Sequence, residues 1–446
     1  MGRTVRTALA LGAFAALSAP ATSAAAVPND PLFDQQWALA RESALERAAA
    51  WEQSTGAGTV VAVLDTGADF GHPDLQGAFW TNPAEIAGNG IDDDRDGFVD
   101  DVHGADIVND DGNPADDEGH GTHVAGIIAA RANNGLGGAG LAPDTKLMVV
   151  KVLDEDRSGT AGGLAEGIRY AIAHGARIIN TSVNGDGQSK ALQEAIKAAG
   201  ATGALVVASA GNDGRSIDLT PSYPASYTDP AIVTVASVGE DGGLSSFSNR
   251  GLTAVDVAAP GEDVLSTSND DGYELRSGTS MAAPFVASVL ALVQSVRPDL
   301  DGSELKAALL AGTRSSGLLG GLLAAGSVDA AATLRGVAGA PAATPLSARA
   351  LPATRVSRGA ILNWGIDGDS AAVAHVRVYL DGRLATARAP LALDSVRVKA
   401  RPGLHRWRVV ALDAANARLA QADGQFRVRT ADWRRAARAK SAKTRG

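Results

Sequence analysis

The chain contains no cysteine. That absence excludes a disulfide framework, a thiol nucleophile and thiolate-bound metal sites, so stability outside the cell must come from packing or bound ions. Downstream of the N-terminal segment no apolar run reads as long enough to cross a bilayer, so no membrane-spanning helix is expected there. With 45% hydrophobic and 20% charged residues over 446 positions, the chain is not a disordered tail and can bury a sizeable core in two domains or more.

What is present begins with an export signal. Arg3 and Arg6 precede the apolar run 8–17, and Ala24-Ala25-Ala26 offers a small-residue cleavage site. Residues 1–26 therefore read as a secretory signal peptide, and the mature chain is expected outside the cell, starting near Val27. The net charge of −10 hides a division: residues 341–446 hold 20 Lys and Arg against 7 Asp and Glu, while the rest hold 20 against 43. Such asymmetry points to two parts with different partners.

The first part, residues 27–335, reads as α/β. Residues 59–64 are apolar and largely β-branched, the signature of a buried parallel strand, and they run into Asp65-Thr66-Gly67. Further strands are expected at 147–153, 177–180, 204–208 and 232–237, with helices at 164–173 and 190–199. This alternation implies a mainly parallel sheet with helices on both faces. Ala, Gly and Pro then make 336–346 a linker. Residues 347–430 hold short alternating segments and a hairpin-like Asp381-Gly382, which reads as a small all-β, immunoglobulin- or fibronectin-like sandwich. Residues 431–446 form a basic tail. Anionic cell-wall polymer is its candidate partner and a solvated end the plain alternative; no specific nucleic acid is expected, and the protein is expected to be a monomer.

Three stretches carry candidate chemistry. Asp65 closes a central strand, where open α/β sheets place their sites, although a carboxylate there is often a turn residue. In Gly119-His120-Gly121-Thr122-His123 a histidine opens a helix between glycines that permit close backbone approach; a buried structural histidine or half a metal site are the other readings. In Gly278-Thr279-Ser280-Met281-Ala282-Ala283-Pro284 a hydroxyl meets the start of a buried helix, with Pro284 expected in its first turn. Unpaired N–H groups and the positive end of the dipole favour negative charge there, so Ser280 is either a nucleophile or a cap. Together they form a set: a serine needs an imidazole to take its proton, and the imidazole needs a carboxylate to fix its tautomer.

In order and in local sequence these three motifs resemble the subtilisin-like serine peptidases, the subtilase family, over roughly residues 28–335. The resemblance implies a peptidase acting on protein or peptide substrates, with Asp65 orienting, His120 as base then acid, Ser280 as nucleophile and Asn212, in Ala210-Gly211-Asn212, as oxyanion donor. It also implies substrate contacts at Arg157, Ser158 and Gly159 on one edge and at Ser182, Val183, Asn184 and Gly185 on the other. Asn184 replaces a glycine usual in the family, which would narrow the cleft. A processing enzyme or peptide ligase with the same chemistry, or an inactive surface-binding protein, are the alternatives. Many secreted relatives carry a folding-assistant propeptide, and residues 27–64 leave no room for one before Asp65.

Calcium is the expected ion, in a structural role. Asp92, Asp94, Asp96 and Asp100 match the front of an incomplete calcium loop, with His103 where an EF-hand has its glutamate; a solvated acidic turn is the plain alternative. The family resemblance implies a second site, with side chains of Asp74 and Asn134 and backbone carbonyls of the loop through Leu136 and Gly138.

Overall fold

The computed structural model describes residues 27–337, 347–356, 359–367, 375–389, 395–412 and 418–428. The signal segment, the basic tail and nearly all of the linker lie outside the described residues. Three short helical turns come first: α1 (Trp37–Ala40), α2 (Glu42–Leu45) and α3 (Arg47–Trp51). Phe33, Leu39, Leu45 and Trp51 are buried against the main domain, and the Trp51 indole donates to the Leu141 carbonyl at 2.7 Å.

The α/β expectation holds. Strands β1 (Val60–Asp65), β2 (Gly104–Asp106), β3 (Lys146–Lys151), β4 (Ile178–Thr181), β5 (Leu205–Ser209), β6 (Ile232–Val238) and β7 (Val257–Pro260) form one seven-stranded parallel sheet in the order β2-β3-β1-β4-β5-β6-β7. Strand alternation sends Val61 and Val63 to one face and Ala62 and Leu64 to the other. Both faces are apolar because both are covered.

On the first face lie α4 (His120–Ala129) and α7 (Thr279–Val296); on the second lie α5 (Ala161–Ala173) and α6 (Lys190–Ala201). Two more helices, α8 (Gly302–Ala311) and α9 (Ala330–Val337), complete the first layer, so the last helix takes in Gly336 and Val337 from the stretch expected as linker. An antiparallel hairpin, β8 (Val264–Ser268) with β9 (Gly272–Arg276), packs beside α4. There the hydroxyls of Ser266 and Thr267 donate to the carbonyls of His123 and Thr122 at 2.8 and 2.7 Å. One expectation is corrected here: among the described residues α7 is a helix long and apolar enough to cross a membrane, although 89% of it is buried in this core.

Strand β1 has β3 on one side and β4 on the other, so the connections diverge from it. Its carboxyl end is therefore a topological switch point, where loops from both sides leave a crevice. Asp65 stands at that end.

The C-terminal region is all antiparallel: β10 (Ser347–Val356), β11 (Gly359–Asp367) and β14 (Ser395–Lys399) form one sheet, and β12 (His375–Leu380), β13 (Arg383–Ala389), β15 (Gly403–Leu412) and β16 (Arg418–Val428) the other. Leu362 and Val398 from the first sheet share a buried cluster with Val376, Val378, Trp407, Val409 and Phe426 from the second. Two sheets closed over one core make a small β-sandwich.

Candidate active site

Helix α4 begins at His120 because Gly119, at φ 104°, turns the chain into it as N-cap. The helix meets the end of β1 at contact distance: a Cβ on Gly121 would stand 2.1 Å from the Gly67 carbonyl oxygen. Only glycine fits, and the close approach brings His120 Nδ1 to 2.6 Å from Asp65 Oδ1. The Thr66 amide donates to the same oxygen at 2.8 Å, while Asp65 Oδ2 is buried without a hydrogen-bond partner among the described residues. An ionised carboxylate only accepts, so Nδ1 is the protonated nitrogen and Nε2 is left with its lone pair. Burial by itself would lower the His120 pKa, but the charge and hydrogen bond of Asp65 reverse this and hold it above the ordinary 6.5.

A residue that motif reading passed over supports this pair. The Asp116 carboxylate accepts from the Thr66 hydroxyl (2.8 Å), the Glu118 and Gly119 amides (3.0 and 2.9 Å), and the Thr122 amide and hydroxyl (2.8 and 2.6 Å). The Thr66 hydroxyl in turn accepts from the Gly121 amide at 2.8 Å. Burial opposes its ionisation, but these bonds hold the Asp116 carboxyl below the usual range. Strand end and helix start are thereby tied through one charge. Behind them the buried Lys151, in register with Asp65, donates to Asp117 (2.7 Å) and to the carbonyls of Thr66 and Leu153 (2.8 and 2.9 Å).

His123 belongs to neither of the metal-holding groups found among the described residues. Its Nε2 lies 3.1 Å from the Glu274 carbonyl, and burial pushes its pKa down to about 3.

Ser280 is the second residue of α7 and is buried. Its hydroxyl donates to the Ser182 carbonyl at 3.1 Å, and the Ser182 hydroxyl donates back to the Ser280 carbonyl at 2.9 Å. Pro284 explains the second bond, and corrects an expectation. It lies inside α7 rather than in its first turn. Lacking an N–H, it leaves the Ser280 carbonyl without its helical partner. The Ser182 side chain takes that place, which anchors segment 182–185 to Ser280.

Asn212, after β5, faces the start of α7. Its Oδ1 accepts from the Thr279 amide and hydroxyl at 2.8 and 3.0 Å, so Nδ2 is turned the other way, and a Cβ on Gly278 would stand 3.3 Å from it. Thr279 thus orients this carboxamide.

The expected substrate edges lie on either side. Arg157, at φ 58°, closes a turn in which the Ser158 amide donates to the Asp154 carboxylate at 2.8 Å; its guanidinium is 3.5 Å from Glu118, which also meets Arg276 at 3.3 Å. Gly159 packs on Val152, whose carbonyl a Cβ would meet at 2.4 Å. Opposite, Val183 packs on the second-face core and Gly185 exchanges backbone bonds with Tyr223 at 2.8 and 2.7 Å. The Asn184 carboxamide turns onto Ser209.

The acidic loop is built differently from the expectation. Asp94, Asp96, Asp101 and His174 bring ligand atoms within 4.8 Å of one another, and Glu85, Asp92 and Asp94 form a second such group. Asp100 belongs to neither. At φ 54° it points away and accepts from the amides of Gly88, Asn89 and Gly90 at 2.8, 3.1 and 2.9 Å. Its neighbour Asp101, fully buried and bonded to Tyr170 and Asn82, stands in its place, and burial raises its pKa to about 6. At the other expected site Asn134 Nδ2 lies 2.7 Å from Asp74 Oδ1, the Leu136 amide donates to Asn134 Oδ1 at 2.8 Å and the Gly138 amide to Asp74 Oδ2 at 3.2 Å. Asp30, missed in the sequence, accepts from the Asn133, Asn134 and Gly135 amides beside it. Burial, and then the nearby Asp30 charge, raise the Asp74 pKa against its hydrogen bonds. Two carboxylates near enough for one charge to act on the other suit a hard divalent cation.

A parallel α/β domain with a carboxylate, an imidazole and a helix-start serine at the carboxyl edge of its sheet is the architecture of a serine hydrolase of the subtilisin type. Residues 56–330 match the model of the subtilase family (peptidase family S8), and the chain belongs to that family. It is 42% identical over 247 residues to a thermophilic serine proteinase of Bacillus sp. (strain AK1), covering 55% of each chain. To thermitase of Thermoactinomyces vulgaris it is 39% identical over 268 residues, 60% of this chain and 85% of that one. The chain thus spans about half the length of the first of these relatives. Among solved structures it is similar to a protease from Pseudoalteromonas arctica PAMC 21717, with a TM-score of 0.60, 33% identity, and coverage of 70% of this chain and 100% of the other.

Proposed function

We propose that the protein is a secreted serine endopeptidase that works through an acyl-enzyme on Ser280. The observation that carries this reading is the 2.6 Å contact of His120 Nδ1 with Asp65 Oδ1, at a sheet edge that also holds Ser280 and the Thr279-oriented Asn212. For this the Ser280 hydroxyl gives up its bond to the Ser182 carbonyl and hands its proton to the free Nε2 of His120. The imidazole takes the proton as Oγ attacks the substrate carbonyl, and Asp65 stabilises the imidazolium that forms. Asn212 Nδ2 and the Ser280 N–H, one of the free amides at the helix start, receive the oxyanion; one such donor is worth about 100- to 1,000-fold in rate. His120 then protonates the leaving amine, and water resolves the ester by the same route. Covalent labelling by a fluorophosphonate tests this: failure of the folded protein to react would overturn it.

Calcium fits Asp74, Asp30 and Asn134, and the Asp94, Asp96 and Asp101 cluster, as an ion that neutralises carboxylates no disulfide can hold together. Its role here is structural. Excess EDTA is expected to lower the melting temperature of the purified protein; an unchanged melting curve would remove the claim.

The export signal and the basic tail support a cell-surface location, and the β-sandwich is read as an immunoglobulin- or fibronectin-like module. The secreted protein is expected to begin near Val27 on N-terminal sequencing. Its retention on anionic wall polymer is expected to weaken with salt and with deletion of residues 431–446; retention insensitive to both would exclude the tail as the anchor.

A further inference from the structure

Two chain segments leave the sheet beside Ser280. Strands β4 and β5 pair in parallel register, Thr181 opposite Ala208, so segments 182–185 and 209–212 run on together past the carboxyl edge. Ser182 touches Ser280 at the head of the first segment, and Asn212 closes the second. A substrate carbonyl placed between Ser280 Oγ and Asn212 Nδ2 must therefore send its acyl-side residue into the slot between these segments.

One side chain crosses that slot. Asn184 Nδ2 donates to the Ser209 carbonyl at 2.6 Å, and the Ser209 hydroxyl donates to Asn184 Oδ1 at 2.9 Å. Both ends of the carboxamide are satisfied by a fully buried partner, which fixes its rotamer. Further along, Gly185 is locked to Tyr223 by a reciprocal backbone pair at 2.8 and 2.7 Å, so the wall carrying Asn184 is not free to swing out. To displace the carboxamide, a large side chain must break two hydrogen bonds and leave the buried Ser209 groups unpaired, which is the costly way to lose a polar contact.

We propose that the Asn184–Ser209 pair is a crossbar that shortens the acyl-side pocket, making this enzyme selective for small residues such as alanine and serine before the scissile bond. The inference rests on the serine peptidase reading above and specifies its substrate class. Glycine at position 184 would remove the bar and deepen the slot toward Tyr223.

The test uses the full secreted chain and a peptide series differing only in the residue before the scissile bond: alanine, serine, leucine or phenylalanine. The wild type is expected to show a kcat/KM for alanine at least about tenfold above that for phenylalanine. Asn184→Gly is expected to raise phenylalanine relative to alanine by about 10- to 100-fold. Ser209→Ala, which deletes one of the two bonds and no backbone group, is expected to shift the ratio the same way by less, and it serves where the glycine variant does not fold. Equal cleavage after phenylalanine and alanine by the wild type, or unchanged ratios in variants that fluorophosphonate still labels, would overturn the crossbar while leaving the peptidase intact. A folded wild type that takes no label would overturn both.

Discussion

Replacing Ser280 with alanine is expected to abolish fluorophosphonate labelling and to lower kcat by about a million-fold, a magnitude known from subtilisin itself. The substitution removes one oxygen and leaves the fold nearly untouched. The Ser280 carbonyl keeps its bond from the Ser182 hydroxyl, and the Thr279 bonds to Asn212 remain. What disappears is the bond from the Ser280 hydroxyl to the Ser182 carbonyl, a neutral contact worth about 1 kcal/mol. A loss of that size in activity with a small change in melting temperature separates a nucleophile from a helix cap. Labelling retained by the variant would move the chemistry to another residue.

Asp65→Asn is expected to cost about 10,000-fold in kcat at neutral pH. An asparagine presenting its amide to Nδ1 forces the proton onto Nε2, where the base must be free, and it withdraws the charge that stabilises the imidazolium. The pH profile reports the same pair. In the wild type His120 must be neutral to act as base, and its pKa is raised, so activity is expected to climb with pH through a midpoint above 6.5. In the asparagine variant burial acts without the opposing charge, so the residual activity is expected to titrate at lower pH. Linkage carries the sign to stability: a raised histidine pKa stabilises the fold fully below pH 6.5, and that contribution is lost as pH rises through the raised value. An acid limb in the same place in both proteins would show that Asp65 does not govern His120.

Much of this arrangement can be read from residues alone, for identifiable reasons. The strands at 147–153 and 232–237 and the helices at 164–173 and 190–199 emerge in the structure within a few residues, because a sheet covered on both faces demands long apolar strands bounded by amphipathic helices. Strands β2 and β7 and the β8–β9 hairpin went unread. The first is only Gly104–Asp106, too short for a period, and the hairpin mixes apolar, hydroxyl and charged residues without a clean alternation, its Ser266 and Thr267 finding their partners far away in sequence. The acidic loop shows a similar limit. The spacing of an EF-hand selects Asp100, whereas backbone turning at a positive φ goes with that carboxylate bonding the amides of Gly88, Asn89 and Gly90, and Asp101 and His174 take its place.

Pro284 and Asn184 show where local rules stop. A proline just after a helix start suggests the first turn; here it stands inside α7 because Ser182, just past the end of β4, caps the carbonyl it orphans. Asn184 is visible in the sequence as a substitution for glycine, but its partner, Ser209, is adjacent only because β4 and β5 pair in register.

Sequence by itself determined the fold class, the family and the residue types for acyl transfer, since hydrophobic period, strand–helix alternation and three ordered motifs are all local signals. Tertiary structure alone decided that Asp116 and Thr66 tie His120 to Asp65, that Thr279 aims Asn212, and that Asn184 closes onto Ser209. The physical reason is the same in each case. A hydrogen bond acts over about 3 Å, and which distant residues come that close is set by strand register and by two glycines meeting without side chains.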